Sequence, residues 1–145
     1  MKKINLLLLF LIILSSCNRI DEFLNKDSER ILTSLEEPTS VIDEYFHEIK
    51  NNNFHKIHFL YSDLFFQNIT TEELINHLKK FLSLTGELKS FKLIEANIEN
   101  TNGQKVIVLL YHVDYSEHSS VEKFSLLKEK SSYKIFGHNI KSDVF

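Results

Sequence analysis

The apolar residues of the chain change their spacing near Gly86, and this change predicts a helical part followed by a sheet. Before Gly86 they recur at intervals of three and four residues, as on one face of a helix. After it they alternate with polar residues, as along a half-buried strand. Three helices are therefore predicted: one from Pro38, a short one over residues 54–61, and one that starts at Thr70 and ends at Gly86.

Local signals place the ends of these helices. Pro38 suits the first turn of a helix, where its missing N–H would have no partner. Residues 51–53 are three consecutive asparagines, and they predict a stop and restart, because asparagine tolerates left-handed backbone and also caps helix starts. Thr70 and Glu73 stand three residues apart, which is the signature of a capping box.

Four alternating segments at hairpin spacing predict an antiparallel sheet. In the first strand Ile94, Ala96 and Ile98 are expected on one face. Both alternating sets of the second strand are apolar, so this strand is expected to be covered on both faces. Gly137 is a candidate bulge in the last strand. The predicted strands cover residues 88–98, 105–115, 121–130 and 133–141, with turns at 100–103 and 116–120.

The first sixteen residues have the pattern of a secretion signal. Lys2 and Lys3 form a short positive segment, and residues 4–14 are apolar except at Asn5. A membrane-spanning helix needs about 20 predominantly apolar residues. This run is much shorter, so a permanent transmembrane helix is the weaker alternative.

The tetrad Leu14, Ser15, Ser16, Cys17 resembles the lipobox of bacterial lipoproteins, in which an aliphatic residue and two small ones precede a cysteine. The resemblance implies cleavage between Ser16 and Cys17, a lipid thioether on Cys17 and acylation of the new amine. The membrane would then be a partner through acylated Cys17. The location would be the extracytoplasmic side of the bacterial cell envelope, with the outer membrane preferred in a Gram-negative species. The alternative is an ordinary cysteine after a plain cleavage site.

This interpretation divides the chain into a signal peptide (1–16), a lipidated N-terminus with a tether (17–37) and one α+β domain (38–145). The tether is either a spacer or an amphipathic helix that packs on the domain or on lipid. A chain of 145 residues with 43% hydrophobic content is long enough to form one core.

Composition narrows the possible functions. The chain has one cysteine, and if that thiol carries lipid, the mature protein has neither a disulfide nor a cysteine nucleophile. The 17 Lys and Arg residues are outnumbered by 20 Asp and Glu residues, which gives a net charge of -3. This balance argues against a nucleic-acid partner.

The order of helices and strands, with FLSLTGELKSFKL leading into the sheet and YKIFGHNI closing it, resembles the nuclear transport factor 2 like superfamily. The resemblance spans about residues 38–143. It implies a cystatin-like α+β roll in which N-terminal helices pack on a curved four-stranded antiparallel sheet. It also implies a pocket between helices and sheet, in a group that includes isomerases, dehydratases and non-catalytic binding modules.

The candidate pocket or rim residues lie on the second and last strands. Alternation puts Tyr111 and Tyr115 on one face of the second strand and His112 and Asp114 on the other. The tyrosines and this carboxylate are therefore not expected in one pocket, and no catalytic residue is predicted. His138 on the last strand is the expected neighbour.

His55 and His58 are three residues apart, close in sequence to Glu44, His47 and Glu48, and such a group resembles part of a metal site. However, no H-E-x-x-H or paired-cysteine pattern accompanies it. No metal and no cofactor are therefore predicted.

Two functions remain open at this point. The main hypothesis is a lipid-anchored envelope protein with a non-catalytic binding or interaction domain, whose partner is an unknown envelope protein or small ligand. The alternative is a small-molecule enzyme, isomerase- or dehydratase-like, that uses the pocket between helices and sheet. A homodimer through the sheet is compatible with either function.

Overall fold

The computed structural model of this chain describes residues 33–101 and 103–142. The predicted signal peptide, the lipobox and the tether up to residue 32 lie outside the described residues. Among these residues, 33–36 belong to one compact unit and those from Glu37 onward to another. No helix within the described ranges has the length and hydrophobicity needed to span a membrane.

Helix α1 occupies residues 33–50 and therefore includes Pro38 instead of beginning there. A proline inside a helix removes one N–H donor and costs about 3 kcal/mol. Pro38 is itself buried, and the apolar stripe that follows it contains Ile42, Tyr45 and Phe46, each with almost no exposed surface. We attribute the tolerance of the proline to this packing, which offsets the lost hydrogen bond.

The predicted break after α1 is confirmed. Asn52 has a positive φ of 57°, and the N–H of Asn53 donates to the carbonyl of Glu48 at 2.9 Å. The predicted second helix is divided into an α-helical turn, α2 (Phe54–Ile57), and a 3₁₀ turn (His58–Leu60). A further 3₁₀ turn covers Phe65–Gln67.

Helix α3 (Thr71–Thr85) has the predicted capping box. The Thr70 hydroxyl accepts a hydrogen bond from the Glu73 N–H at 3.2 Å, and the Glu73 carboxylate accepts from the Thr70 N–H at 2.8 Å. These bonds to Thr70 lower the pKa of Glu73. The helix ends at Gly86, as predicted, with a φ of 84° at that glycine.

The four predicted strands form one antiparallel sheet in the order β1-β2-β3-β4. Consecutive strands pair as hairpins, and Thr101 lies opposite Gln104 at the first turn. The strands are β1 (Leu88–Thr101), β2 (Gln104–Tyr115), β3 (Ser119–Glu129) and β4 (Ser132–Ser142).

A bulge interrupts β4 at the predicted glycine. Gly137 lies opposite Ser125, but the next pair is Ile135 with Leu126, so β4 contains one extra residue. A Cβ at Gly137 would lie 3.3 Å from the Cβ of Ser125, which leaves little room for a side chain.

A second bulge lies in β1 and was not predicted. The register shifts between Leu93 and Glu95, which leaves Ile94 unpaired and 51% exposed. Ala96 and Ile98 lie opposite Leu109 and Ile107. The expected face of Ile94, Ala96 and Ile98 is thus interrupted at its first member.

The helices pack on one face of the sheet, which we call the inner face. Ring centres lie 5.2 Å apart for Tyr45 and Phe124, and 5.2 Å apart for Phe81 and Tyr115. Both alternating sets are buried in the first half of β2, as predicted from its apolar pattern. These buried residues are Val106, Ile107, Val108 and Leu109.

Gly86→Ala should destabilise the domain by about 1–3 kcal/mol, because φ 84°, ψ -164° is a backbone region that is nearly restricted to glycine. The new Cβ would also clash with the Ser116 Oγ. Gly103→Ala is the control, since Gly103 has a φ of 78° but no atom within 4 Å of a Cβ. Urea unfolding should show the larger loss for Gly86→Ala, and an equal loss would contradict the importance of the Ser116 contact.

Candidate functional site

The inner face of the sheet encloses a charged side chain, the carboxylate of Glu122, which has no exposed surface. Its Oε1 accepts hydrogen bonds from the hydroxyls of Tyr115 at 2.7 Å and Ser120 at 3.1 Å. Its Oε2 lies 3.0 Å from the Nε2 of His138, and the Nδ1 of His138 lies 2.8 Å from the Tyr61 hydroxyl. We call these five residues the interior cluster.

The bulge at Gly137 explains why His138 reaches Glu122. Residues three apart in a regular strand point to opposite faces. The extra residue in β4 changes this, so that Ile135 and His138 lie opposite Leu126 and Phe124, two residues of the same face. The bulge therefore directs the imidazole toward the interior.

Tyr61 reaches the cluster from outside the sheet. It follows the first 3₁₀ turn and forms an isolated parallel bridge with Ile135, and the N–H of Ser62 donates to the Ile135 carbonyl at 2.9 Å. This backbone contact holds the Tyr61 phenol beside β4. The cluster thus links the segment after α2 to three strands.

The hydrogen-bond pattern satisfies both oxygens of Glu122. An ionised carboxylate is acceptor-only, so in that state it accepts from the hydroxyls of Tyr115 and Ser120 and from an Nε2–H of His138. A neutral imidazole with its proton on Nε2 would accept at Nδ1 from the Tyr61 hydroxyl, which lies 2.8 Å away. A fully buried carboxylate requires such partners, since an unsatisfied one would cost several kcal/mol.

The tyrosines of the cluster are held in their protonated, donor form. Burial raises the pKa of the Tyr115 phenol well above its usual value, and the charge of Glu122 and its hydrogen bond add to this effect. Burial and the Glu122 charge raise the pKa of Tyr61 in the same way. Both hydroxyls therefore remain donors throughout the physiological pH range.

Aromatic rings close the cluster from solvent. Phe124 stacks on the His138 imidazole with ring centres 4.2 Å apart, and Tyr45 meets the same imidazole edge-on at 5.3 Å. The side chain of His138 is 5% exposed. The hydrogen-bonded chain from Tyr61 through His138 and Glu122 to Tyr115 could relay a proton, but these rings separate it from solutes.

The structure brings together two of the five predicted pocket residues. Tyr115 and His138 both contact Glu122. Tyr111 lies on the same face but packs against the ring of Phe124, with ring centres 5.9 Å apart.

The other two predicted residues form a separate exposed pair. His112 Nε2 lies 3.2 Å from Asp114 Oδ1, and the Ser90 hydroxyl donates to Asp114 Oδ2 at 2.8 Å. As predicted from alternation, this carboxylate does not share a pocket with Tyr111 and Tyr115.

Three members of the interior cluster were not predicted from the sequence. Glu122 did leave a signal, because it alternates in phase with Phe124 and Leu126 and so occupies a core position of β3. Ser120 follows from the same alternation. Tyr61 left no signal, since it reaches the cluster by a bridge to Ile135 from outside any predicted strand.

The histidines of the first two helices do not assemble a metal site. The His58 Nδ1 lies 2.7 Å from the His55 carbonyl. The Glu48 carboxylate lies 3.6 Å from the Lys56 ammonium. The described part of the chain contains no group of three or more His, Cys, Asp or Glu side chains placed to hold a metal ion.

Comparison with known proteins identifies the fold. No family model and no curated protein matches the chain. Among solved structures, it is similar to Bd1075 of Bdellovibrio bacteriovorus, with 18% identity and a TM-score of 0.53 over 74% of this chain. The match spans 40% of that protein's length.

Two further solved structures match most of their own length. One is a protein of Novosphingobium aromaticivorans described as a candidate scytalone dehydratase, with 10% identity and a TM-score of 0.52 over 79% of this chain and 87% of that one. The other is a Catenulispora acidiphila protein, with 10% identity and a TM-score of 0.55 over 80% and 94%.

Identities of 10–18% establish the fold and carry no activity over to this chain. The predicted class is confirmed: the domain is an α+β roll with helices packed on a four-stranded antiparallel sheet, a fold that it shares with these solved structures.

Tyr115→Phe should destabilise the domain by about 1–3 kcal/mol, because it removes a donor from a fully buried carboxylate. Tyr111→Phe is the matched control, since Tyr111 is also buried in β2 but packs on Phe124 and is not one of the hydrogen-bond partners of Glu122. Urea unfolding at neutral pH measures both. Equal stability of the two variants would show that the Tyr115 hydroxyl does not support Glu122.

Proposed function

We propose that this chain is a lipid-anchored protein of the bacterial cell envelope whose roll domain binds a partner protein or small ligand without transforming it. Cys17 is the attachment point, and the membrane is the partner it contacts directly. The proposal joins a sequence feature, the lipobox that ends at Cys17, to a structural one, the closed interior cluster.

The closure of the interior cluster is the observation that carries the non-catalytic part of the proposal. A general base has to come within hydrogen-bond reach of the proton that it removes. Glu122 has no exposed surface, and the rings of Tyr45 and Phe124 pack against His138. Both oxygens of Glu122 already have protein donors, which supports a structural role for this carboxylate.

The arrangement of Leu14, Ser15, Ser16 and Cys17 supports the anchor. One acyl chain binds a membrane reversibly, whereas two or three chains on one cysteine give stable attachment. The short apolar run before Cys17 fits a cleaved signal better than a spanning helix. The extracytoplasmic location follows from export and lipidation together.

Cys17→Ala should leave the protein without lipid and with its first sixteen residues still attached, because the thiol is the acceptor of the lipid. Intact-mass measurement on protein purified from bacterial membranes checks this. The unchanged chain should have the mass of residues 17–145 plus its lipid, and globomycin should make the precursor accumulate.

Ser16→Gly is the control for this experiment. It keeps a small residue before the cysteine and should be processed normally. A native mass without lipid, or no precursor in globomycin, would contradict the anchor.

A second function, a small-molecule enzyme of the isomerase or dehydratase kind, is favoured by one observation. Tyr61, His138, Glu122 and Tyr115 form a continuous hydrogen-bonded chain, and such chains serve acid–base catalysis. The name of the Novosphingobium protein supplies the reaction class, elimination of water. This function requires the rings around His138 to open.

Deuterium exchange separates the two functions. The protein is incubated in heavy water with small ketones and hydroxyketones, and proton NMR follows the incorporation of deuterium. Under the main proposal, incorporation should not exceed that of a blank without protein, because Glu122 is enclosed. Exchange by the unchanged chain that Glu122→Gln abolishes would establish the enzyme instead. Glu122→Gln has nearly the same shape, and its folding is checked by circular dichroism.

A further inference from the structure

A groove of about 750 Å³ lies where the end of α1, the second half of α3 and the beginning of β1 meet. It does not involve the interior cluster. Its lining combines apolar side chains with three ammonium groups. We call it the lysine groove, with a floor of Ile49, Phe54 and Leu88 and a rim of Lys50, Lys79 and Lys89.

Two of the three ammonium groups lack an acidic partner. Lys89 lies 3.0 Å from the Glu87 carboxylate and is neutralised by it. Lys50 and Lys79 have no carboxylate within ion-pair distance among the described residues. The Lys79 ammonium lies 5.6 Å from the ring centre of Phe54, over the apolar floor. The groove is therefore locally positive in a chain whose net charge is -3.

The ends of two helices lower this positive charge without cancelling it. α1 and α3 both end at the groove, and each helix C-terminus carries about half a negative charge. Hydrogen bonds already satisfy carbonyls there, as from Gly86 to Leu82 and from Asn53 to Glu48. Two half charges balance about one lysine, which leaves one ammonium in excess. Charge balance alone does not explain an apolar floor beneath the lysines.

We infer that the lysine groove binds a small amphipathic carboxylate, with its hydrocarbon part on Ile49 and Phe54 and its carboxylate toward Lys50 and Lys79. The volume lies within the range of small-molecule sites. The inference deepens the proposed function by naming a ligand class for the binding domain, and it rests on that domain being a binding module. It does not depend on lipid at Cys17.

Hexanoate and hexanamide are the test ligands, because they share a hydrocarbon chain and differ in charge. The full chain is placed in phosphatidylcholine nanodiscs and titrated by calorimetry, with empty nanodiscs as the blank. Hexanoate should bind about tenfold more tightly than hexanamide. Added salt should weaken the binding of hexanoate but not that of hexanamide. Equal binding of the two ligands, or no hexanoate binding above the blank, would overturn the inference.

The double variant Lys50→Gln with Lys79→Gln should bind hexanoate about tenfold more weakly and should bind hexanamide with unchanged affinity. The matched control is Lys123→Gln with Lys141→Gln, which removes the same charge from exposed positions on the other face of the sheet. All four lysines are exposed, so unfolding midpoints should stay the same. An equal loss in both double variants would assign the effect to net charge and overturn the site.

An intact-mass measurement on the same preparation distinguishes a failure of the groove proposal from a failure of the anchor proposal. Lipid at Cys17 without hexanoate binding contradicts the groove alone. Hexanoate binding by a chain without lipid contradicts the anchor alone.

Discussion

The burial of the Glu122 carboxylate constrains much of the domain around it. A carboxylate with no exposed surface loses its hydration, and the cost of several kcal/mol is recovered only through well-placed donors. These donors come from Tyr115 at the end of β2, Ser120 at the start of β3 and His138 on β4. The register of three strands therefore has to be correct for one side chain to be tolerated.

The need for donors to Glu122 also explains the bulge in β4. Without the extra residue between Ile135 and Gly137, Ile135 and His138 would face opposite sides of the sheet. With it, Ile135 fills the core while His138 meets Glu122, and Tyr61 extends the hydrogen bonds to the segment after α2. Packing and polar satisfaction thus depend on a single backbone irregularity.

Short-range sequence signals were sufficient to predict most of the fold. The capping box of Thr70 and Glu73, the stop at Gly86 and the bulge at Gly137 each depend on a few neighbouring residues, and each was predicted. The bulge at Ile94 was not, since no glycine marks it. The α1 boundary at Pro38 was also misplaced, since the helix continues through this proline, which is itself buried.

The interior cluster was only half predictable for a related reason. Tyr61 and His138 are 77 residues apart, and their contact depends on an isolated bridge that has no periodic pattern. The position of Glu122 among alternating core residues was readable, but whether it would be buried depended on donors from other strands. Long-range polar pairing is therefore the part of this structure that a single sequence conceals.

The contrast between the cluster and the lysine groove bears on function. Catalytic groups act on a substrate only if some of their hydrogen-bonding capacity is free to meet it. Every polar atom of the interior cluster is satisfied, and the one buried side-chain oxygen without a partner in the described part of the chain, Oε2 of Glu48, lies outside it. The lysine groove has the opposite character, since Lys50 and Lys79 are exposed and without acidic partners there. The polar groups of the interior cluster are hydrogen-bonded to one another, whereas the ammonium groups at the lysine groove are available to a ligand. This difference favours ligand binding at the groove over catalysis by the interior cluster.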